Sequence, residues 1–334
     1  MQAATAALTN RSSSPARAAR ALGATQGTAY LRIDFTHDRT RTVPVRWERI
    51  GPANGPVIVV QGGISATRHL CANTCDASPG WWDAQVSHGG AIDPARHAVL
   101  AIDWLGADGS LDFPIDTVDQ ALAVAAVLDR LDCARIAAWV GASYGAMVGL
   151  AFASRHGARL GRLVAISGAH RAHPDATAAR VVQRRIVALG DGSAESLALA
   201  RGLAMLTYRS ARELGERFDD APRVDSGVVR LACEDWLDAC GARFATKFTP
   251  RAFLRLSESI DLHRVDPATI RVPTTLIGVV EDRLVPIAEL EALAASIGGA
   301  CRIDRLRSRY GHDAFLKEPA AIAAKLRRAL RGAA

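Results

Sequence analysis

The sequence predicts an α/β chain: a mostly parallel sheet flanked by helices, with a block of helices inserted before the last strands. Two observations carry that expectation. Short apolar runs alternate with amphipathic helical patterns, the order that gives parallel strands joined by right-handed crossovers, and the alternation lapses between about His170 and Pro267 before it resumes. At 334 residues the chain holds either two domains or one large domain with an insertion, and an apolar share of 49% suffices for a substantial core.

Taken in order, Ala29 to Phe35 and Pro44 to Ile50 alternate like half-exposed strands, and the polar break His37 to Arg41 reads as the turn of an antiparallel pair. Pro56 to Gln61, His97 to Asp103, Arg135 to Val140, Arg162 to Ile166 and Thr274 to Val280 are continuous apolar runs, as expected of strands covered on both faces. Val118 to Leu131 and Tyr144 to His156 carry helical spacing between them. Cys301 to Leu306 is strand-like, and a helix from about Pro319 to Leu330 closes the chain. Inside the gap the periodicity reads as helical throughout: Ala176 to Leu189, Ser193 to Met205, Ser210 to Phe218, Gly227 to Cys240 and Arg251 to Ile260. The division that follows is a disordered leader at 1–27, a core at 28–169 and 268–334, and a helical cap at 170–267.

Charge and cysteines exclude several classes. The formal net charge is +7, but Arg11, Arg17, Arg20 and Arg32 precede the first acid, Asp34. Beyond them Arg alternates with Asp and Glu and forms no basic stripe, so a nucleic-acid partner is not expected. Six cysteines are scattered without a CxxC pair, which favours reduced thiols and the cytoplasm. No window is long and apolar enough for a membrane span or a signal peptide.

The chemistry centres on Gly141-Ala142-Ser143-Tyr144-Gly145, a G-x-S-x-G directly between a buried strand and an apolar helix. Such a turn needs small residues two before and two after the serine, and Gly141 and Gly145 supply them. Gly149 continues the spacing along the helix. The turn lifts the hydroxyl above the sheet and aims the N–H of Tyr144 at a developing oxyanion. A serine there requires an acid and a histidine later in the chain, at the carboxyl ends of strands. Asp282 follows the strand ending at Val280, and His312 precedes the last helix. Ser143 would be the nucleophile, His312 its base, and Asp282 the group that fixes the imidazole. Gln61-Gly62-Gly63-Ile64-Ser65 ends the strand opposite, where the N–H groups of Gly63 and Ile64 can complete the oxyanion hole. Asp103 precedes the serine and is excluded by chain order. His156, His170, His173 and His263 read as packing or surface residues, none with metal-like partners. Phosphate loops and pyridoxal chemistry fail for want of a suitable glycine pattern or lysine, since only Lys247, Lys317 and Lys325 are present.

Three further segments carry a resemblance, and two of them, the L-T-Y-R-S and Tyr-Gly-His-Asp-Ala-Phe motifs, are more specific than the elbow. Ala200-Arg201-Gly202-Leu203-Ala204-Met205-Leu206-Thr207-Tyr208-Arg209-Ser210, Gln183-Arg184-Arg185, and Tyr310-Gly311-His312-Asp313-Ala314-Phe315-Leu316 resemble the homoserine O-acyltransferase family, and the resemblance runs from about Pro56 to Leu316. It implies the α/β-hydrolase fold, a Ser143-Asp282-His312 triad, and acyl transfer from acyl-CoA to the hydroxyl of L-homoserine, an early step toward methionine. It further implies that Arg201 binds the acceptor's carboxylate and Asp313 its amino group, that acyl-CoA is a co-substrate with no cofactor or metal, and that the chain forms a homodimer. The elbow Ala-Ser-Tyr-Gly-Ala, the short loop Asp103 to Asp112 and the abbreviated cap depart from better-known members and bear on the acyl group. Resemblance to the succinyl-using branch, with arginines in the cap that could pair with a succinyl carboxylate, makes succinyl-CoA the expected donor. Acetyl-CoA as donor and serine as acceptor are the alternatives, and an esterase of the same fold is a more distant one. A binding protein on a retired scaffold ranks last, because no triad member is missing.

Overall fold

The computed structural model describes residues 21–332. Strands β1 (Ala24–Asp34), β2 (Thr40–Ile50), β3 (Val57–Gln61) and β4 (Ala98–Ile102) come first, then helix α1 (Thr117–Arg130), β5 (Ala138–Ala142), α2 (Tyr144–His156) and β6 (Leu163–Ile166). The insertion contains α3 (Pro174–Leu189), α4 (Ala194–Tyr208), α5 (Ala211–Arg217), a hairpin of β7 (Arg223–Asp225) and β8 (Val228–Arg230), α6 (Ala232–Ala245) and α7 (Pro250–Leu262). The chain returns through β9 (Thr274–Val279), α8 (Ile287–Ser296) and β10 (Cys301–Leu306), and ends with α9 (Ala314–Lys317) and α10 (Pro319–Ala329).

One sheet runs β1-β2-β4-β3-β5-β6-β9-β10. The β1–β2 and β2–β4 pairings are antiparallel and the rest parallel, as the continuous apolar runs require. Val124 of α1, Leu150 of α2 and Leu290 of α8 belong to one core. Trp82, Ile92 and Ile322 of α10 belong to a second, which includes Ile58 and Val140 of the sheet. The insertion leaves after β6 and returns before β9, two strands that pair directly with each other. Its ends are stitched together by Val265 N–H donating to His170 O at 2.9 Å, so it is an excursion from the sheet's carboxyl edge.

Three boundaries differ from the sequence expectation. First, β1 begins at Ala24, so the stretch 24–27 assigned to the leader is strand, paired with Trp47 to Ile50. Thr25 and Gln26 hide the alternation there, and Gly27 lies under the Trp47 indole where a side chain would collide. Residues 1–20 of that leader lie outside the described residues. Second, the insertion is not helical throughout. Ser226 and Gly227 both have positive φ, 50° and 81°, the pairing that closes a two-residue hairpin. The valines 228 and 229 that suggested a helical face are exposed strand residues, and α6 starts only at Ala232. Third, β5 runs on to Ala142, so the first glycine of G-x-S-x-G is itself strand.

His263 ties three elements together and has the packing role expected of it. It is buried at the end of α7. Its Nε2–H donates to Ala169 O at 3.1 Å, which leaves Nδ1 to accept from Thr117 Oγ of α1 at 2.7 Å. Burial pushes its pKa down to about 4. A folded-state value below the ordinary 6.5 means the unfolded chain binds more protons between those limits. Stability contributed by this neutral histidine is therefore present above pH 6.5 and lost as pH falls toward 4, by roughly 3 kcal/mol in all. Urea titrations across that range should show the decline in wild type and a flatter profile in His263→Gln.

Candidate active site

Ser143 stands between β5 and α2 with φ 56° and ψ −119°, a conformation that L-residues rarely hold. It persists because both sides of the turn are pinned. The Ser143 N–H donates to Ile166 O at 2.8 Å, and the Gly145 N–H donates to Gly62 O at 2.8 Å. A Cβ at Gly141 would strike the carbonyl of Gly145, and a Cβ at Gly145 would strike that of Gln61, so the spacing of glycines is a steric requirement. Gly149 does the same for the Trp139 indole, whose Nε1–H donates to Gly145 O at 2.9 Å.

The structure brings Ser143, His312 and Asp282 together. His312 Nδ1 lies 2.7 Å from Asp282 Oδ2, and its Nε2 lies 2.8 Å from Ser143 Oγ. A carboxylate only accepts, so the proton sits on Nδ1 and Nε2 is free to take the serine proton. Asp282 is fixed in turn, because its Oδ1 accepts from the N–H groups of Leu284 and Val285 at 2.9 and 3.0 Å. Burial of His312 disfavours its cation, yet the adjoining Asp282 carboxylate outweighs burial and the pKa moves upward.

Tyr144 offers only its backbone. Its ring is buried, the hydroxyl pairs with Ser259 Oγ at 2.6 Å, and burial raises the phenol's pKa. Among the described residues, no acceptor takes the N–H of Tyr144, Gly63 or Ile64. The neighbouring carbonyls are engaged instead: Gly62 O by Gly145, and Gly63 O by Trp104 Nε1 at 3.0 Å. Tyr144, Gly63 and Ile64 line the same chamber as Ser143, which leaves their N–H groups available to an oxyanion.

Two cavities share lining residues at this point. The inner one, about 220 Å³, contains Ser143 and His312, and the outer one, about 720 Å³, opens between the 103–111 loop and α6. Arg201 and Asp313 border both. Arg201 is not a solvated helix arginine. Its guanidinium is held over the rings of Tyr208 and Phe244 at 5.0 and 4.8 Å, and no carboxylate pairs with it among the described residues. Asp313 makes no capping bond to α9; it pairs with Arg209 Nε at 3.0 Å. Arg209 is a residue the sequence reading did not single out. It is buried, also reaches Glu213 at 3.4 Å, and joins the cap to the loop bearing His312. Only the L-T-Y-R-S motif pointed toward it.

The remaining candidates are accounted for. Asp103 is committed to Arg68 at 2.6 Å. His156 packs on Phe152, while His173 caps α3 and also borders the inner cavity. His170 borders neither cavity. Among the described residues, no group of three or more His, Cys, Asp or Glu side chains is placed to hold a metal ion, and no helix is long and apolar enough to cross a membrane.

A model of the α/β-hydrolase fold family matches residues 56–319. A homoserine O-succinyltransferase of Xanthomonas campestris pv. campestris is 52% identical over 320 residues, covering 95% of this chain and 87% of that protein. A homoserine O-acetyltransferase of Symbiobacterium thermophilum is 30% identical over 332 residues, covering 85% of this chain and 86% of that one. The crystal structure of a homoserine O-acetyltransferase from Bacillus anthracis superposes with a TM-score of 0.82 at 14% identity, covering 93% of this chain and 98% of that one.

A neutral His312 is required to take the serine proton, so reactivity is lost as pH falls through its raised pKa. The rate at which a fluorophosphonate labels Ser143 should climb with pH through a midpoint above 6.5. Asp282→Asn should slow labelling by about 10³–10⁴-fold, by removing the acceptor that sets the tautomer. Ser143→Ala should not label.

Proposed function

The chain belongs to the homoserine O-acyltransferase family of the α/β-hydrolase fold, and from that premise we propose that it moves a succinyl group from succinyl-CoA to the hydroxyl of L-homoserine through an ester on Ser143. The observation that carries the reading is the hydrogen-bonded line Ser143–His312–Asp282 opening into a chamber that also holds an unpaired guanidinium, Arg201, and a carboxylate, Asp313. The succinyl donor rests on the relative at 52% identity; the acetyl donor of the relatives near 30% is the second reading.

In the first half-reaction Ser143 Oγ attacks the thioester carbon while His312 Nε2 takes its proton. The tetrahedral oxyanion sits against the N–H groups of Tyr144, Gly63 and Ile64. As the intermediate collapses the C–S bond breaks, and His312 returns the proton to the departing CoA sulfur. In the second half-reaction the homoserine hydroxyl loses its proton to His312 and attacks the ester. The bond to Ser143 breaks, and the proton goes back to Oγ. These steps need no group beyond the two substrates and these side chains.

Each substrate has a fitting wall. Arg201 can grip the α-carboxylate of homoserine through two hydrogen bonds, and Asp313, held by Arg209, can pair with its ammonium. Together they turn the acceptor hydroxyl toward the ester, which favours transfer over hydrolysis by positioning. The outer cavity suits the nucleotide phosphates of CoA. Arg46, Arg243, Lys247 and Lys317 border it, and none of them has a carboxylate within ion-pair distance among the described residues. The six free thiols fit a reducing cytoplasm. A homodimer through the cap fits the exposed apolar residues Leu199, Val228 and Val229 on it.

With succinyl-CoA and no acceptor, intact mass should show one succinyl group added to wild type and none to Ser143→Ala. The absence of an adduct with either succinyl-CoA or acetyl-CoA would remove the reading. Arg201→Gln should raise KM for homoserine by about 10–100-fold, the loss of a charge-assisted hydrogen-bond pair, with little change in the rate of enzyme succinylation.

A further inference from the structure

The connection between β3 and β4, residues 62–97, contains no helix and no strand of the sheet, yet it walls both cavities. Ile64 borders the two of them, Thr67 and Arg68 the outer one, and Trp81 the inner one. A segment of that length without regular structure owes its order to particular ties. The Trp81 ring lies over Gly62, where a side chain would collide, and its Nε1–H donates to Thr67 O at 3.0 Å. The N–H groups of Trp81 and Trp82 donate to His69 O and Leu70 O at 3.3 and 3.0 Å. The stretch 67–82 is thus folded back on itself, with His69 at the crossing.

From this geometry we infer that His69, as an imidazolium, is a positioning residue: it clamps 67–82 to the sheet, holds the wall of both cavities, and lets that wall loosen when it loses its proton. Its Nε2 lies 2.8 Å from Ser78 O and its Nδ1 3.4 Å from Glu48 Oε2. Both partners only accept, and a neutral imidazole carries a single N–H, so only the cation satisfies both. Glu48, on β2, makes that charge necessary. Its side chain is wholly buried and accepts from Gln26 Nε2 at 2.6 Å and Asn73 Nδ2 at 3.0 Å. Among the described residues, His69 is the one cation within ion-pair distance of it. A carboxylate taken out of water is costly unless a cation meets it, so losing the His69 proton breaks one tie and strands a buried charge.

The charged groups that face His69 act in one direction. Glu48 reaches it from β2, and Asp76, from its own loop, lies 3.9 Å from Nε2. The neighbouring cation, Arg68, is spent on Asp103 at 2.6 Å. Burial works against the imidazolium, but Ser78 O and the two carboxylates outweigh it, and the pKa moves above the ordinary 6.5. The clamp is therefore made below that raised value and lost as pH rises through it. His69 borders neither cavity, so it acts through Trp81 and Arg68 and not on a substrate.

Hydrogen exchange and kinetics against pH test the assignment together. From about pH 6 to pH 9, amide exchange over 67–82, corrected for its intrinsic rise with pH, should quicken about tenfold or more in wild type while α2 stays protected. Over the same range KM for succinyl-CoA should rise about 3–10-fold. Glu48→Gln, which removes the buried charge, should flatten both profiles. His69→Gln should show quick exchange and a raised KM already at about pH 6, with kcat within about threefold of wild type at each pH. Level exchange over 67–82 in wild type, or a rise that persists in Glu48→Gln, would overturn the assignment, as would quickened exchange with no change in KM. If His69→Gln does not yield folded protein, the wild-type and Glu48→Gln profiles decide alone. The kinetic arm rests on the acyl-transfer reading above and the exchange arm does not. A wild type acylated by neither succinyl-CoA nor acetyl-CoA removes that reading, and the exchange profiles still decide whether His69 holds the wall.

Discussion

The backbone at Ser143 is held in a conformation that costs about 1–3 kcal/mol, and the site depends on the structure's ability to meet that cost. Relaxing the turn would swing Oγ away from His312 and carry the first turn of α2, with the Tyr144 N–H, away from the chamber. What prevents this is close packing of backbone on backbone. Gly141 lies against Gly145, and Gly145 against Gln61, so β5, α2 and the end of β3 approach more closely than any side chain permits. The bonds Gly145 N–H to Gly62 O and Trp139 Nε1–H to Gly145 O then lock that contact. The same junction brings Gly63 and Ile64 to the chamber that holds Ser143, so the serine and these backbone N–H groups are positioned by one constraint.

The second half of the site is supplied by the cap. Tyr208 and Arg209 end α4, and Ser210 hydrogen-bonds the carbonyl of Arg309 two residues before Gly311. Gly311 takes a positive φ, with Tyr208 O behind it. His312 is thus aimed from behind by the insertion as well as from the side by Asp282, and Arg209 extends the tie through Asp313. A movement of α4 would disturb His312, Asp313 and Arg201 together. That explains how a block of helices with few ties to the sheet can belong to the chemistry.

Legibility in the sequence follows the range of the forces involved. The elbow is a local steric demand written in five residues, and chain order on a parallel sheet then singled out His312, which lies within hydrogen-bond reach of Ser143, and Asp282, which lies within reach of His312. The presence of strands β3 to β6 was readable because burial on both faces leaves little but apolar residues, although β5 lies two to three residues further along than its apolar run. The exceptions share a cause. β1 extends four residues beyond the leader boundary because pairing with β2 stabilises Thr25, Gln26 and Gly27 regardless of their pattern. Val228 and Val229 misled because a period of 3.6 cannot be distinguished from exposed strand in so short a run, whereas the turn at Ser226-Gly227 needed its φ angles to be seen. Arg209 lay inside the L-T-Y-R-S motif, but what distinguishes it among so many arginines, its place between Glu213 and Asp313, is a tertiary fact.

Charge around His312 is balanced from several sides, and the balance links recognition to reactivity. Burial and Arg180 oppose the imidazolium, while Asp282 and Asp313 favour it. Asp282 lies in direct contact and faces no competing cation, so it prevails and the histidine is a stronger base than a buried imidazole alone would be. Asp313 acts at one remove and is partly spent on Arg209. Arg180 and Asp313, which border the inner chamber, are therefore among the groups that set the strength of the base. A substitution that removes either charge therefore shifts the balance at His312 as well as the lining of the chamber.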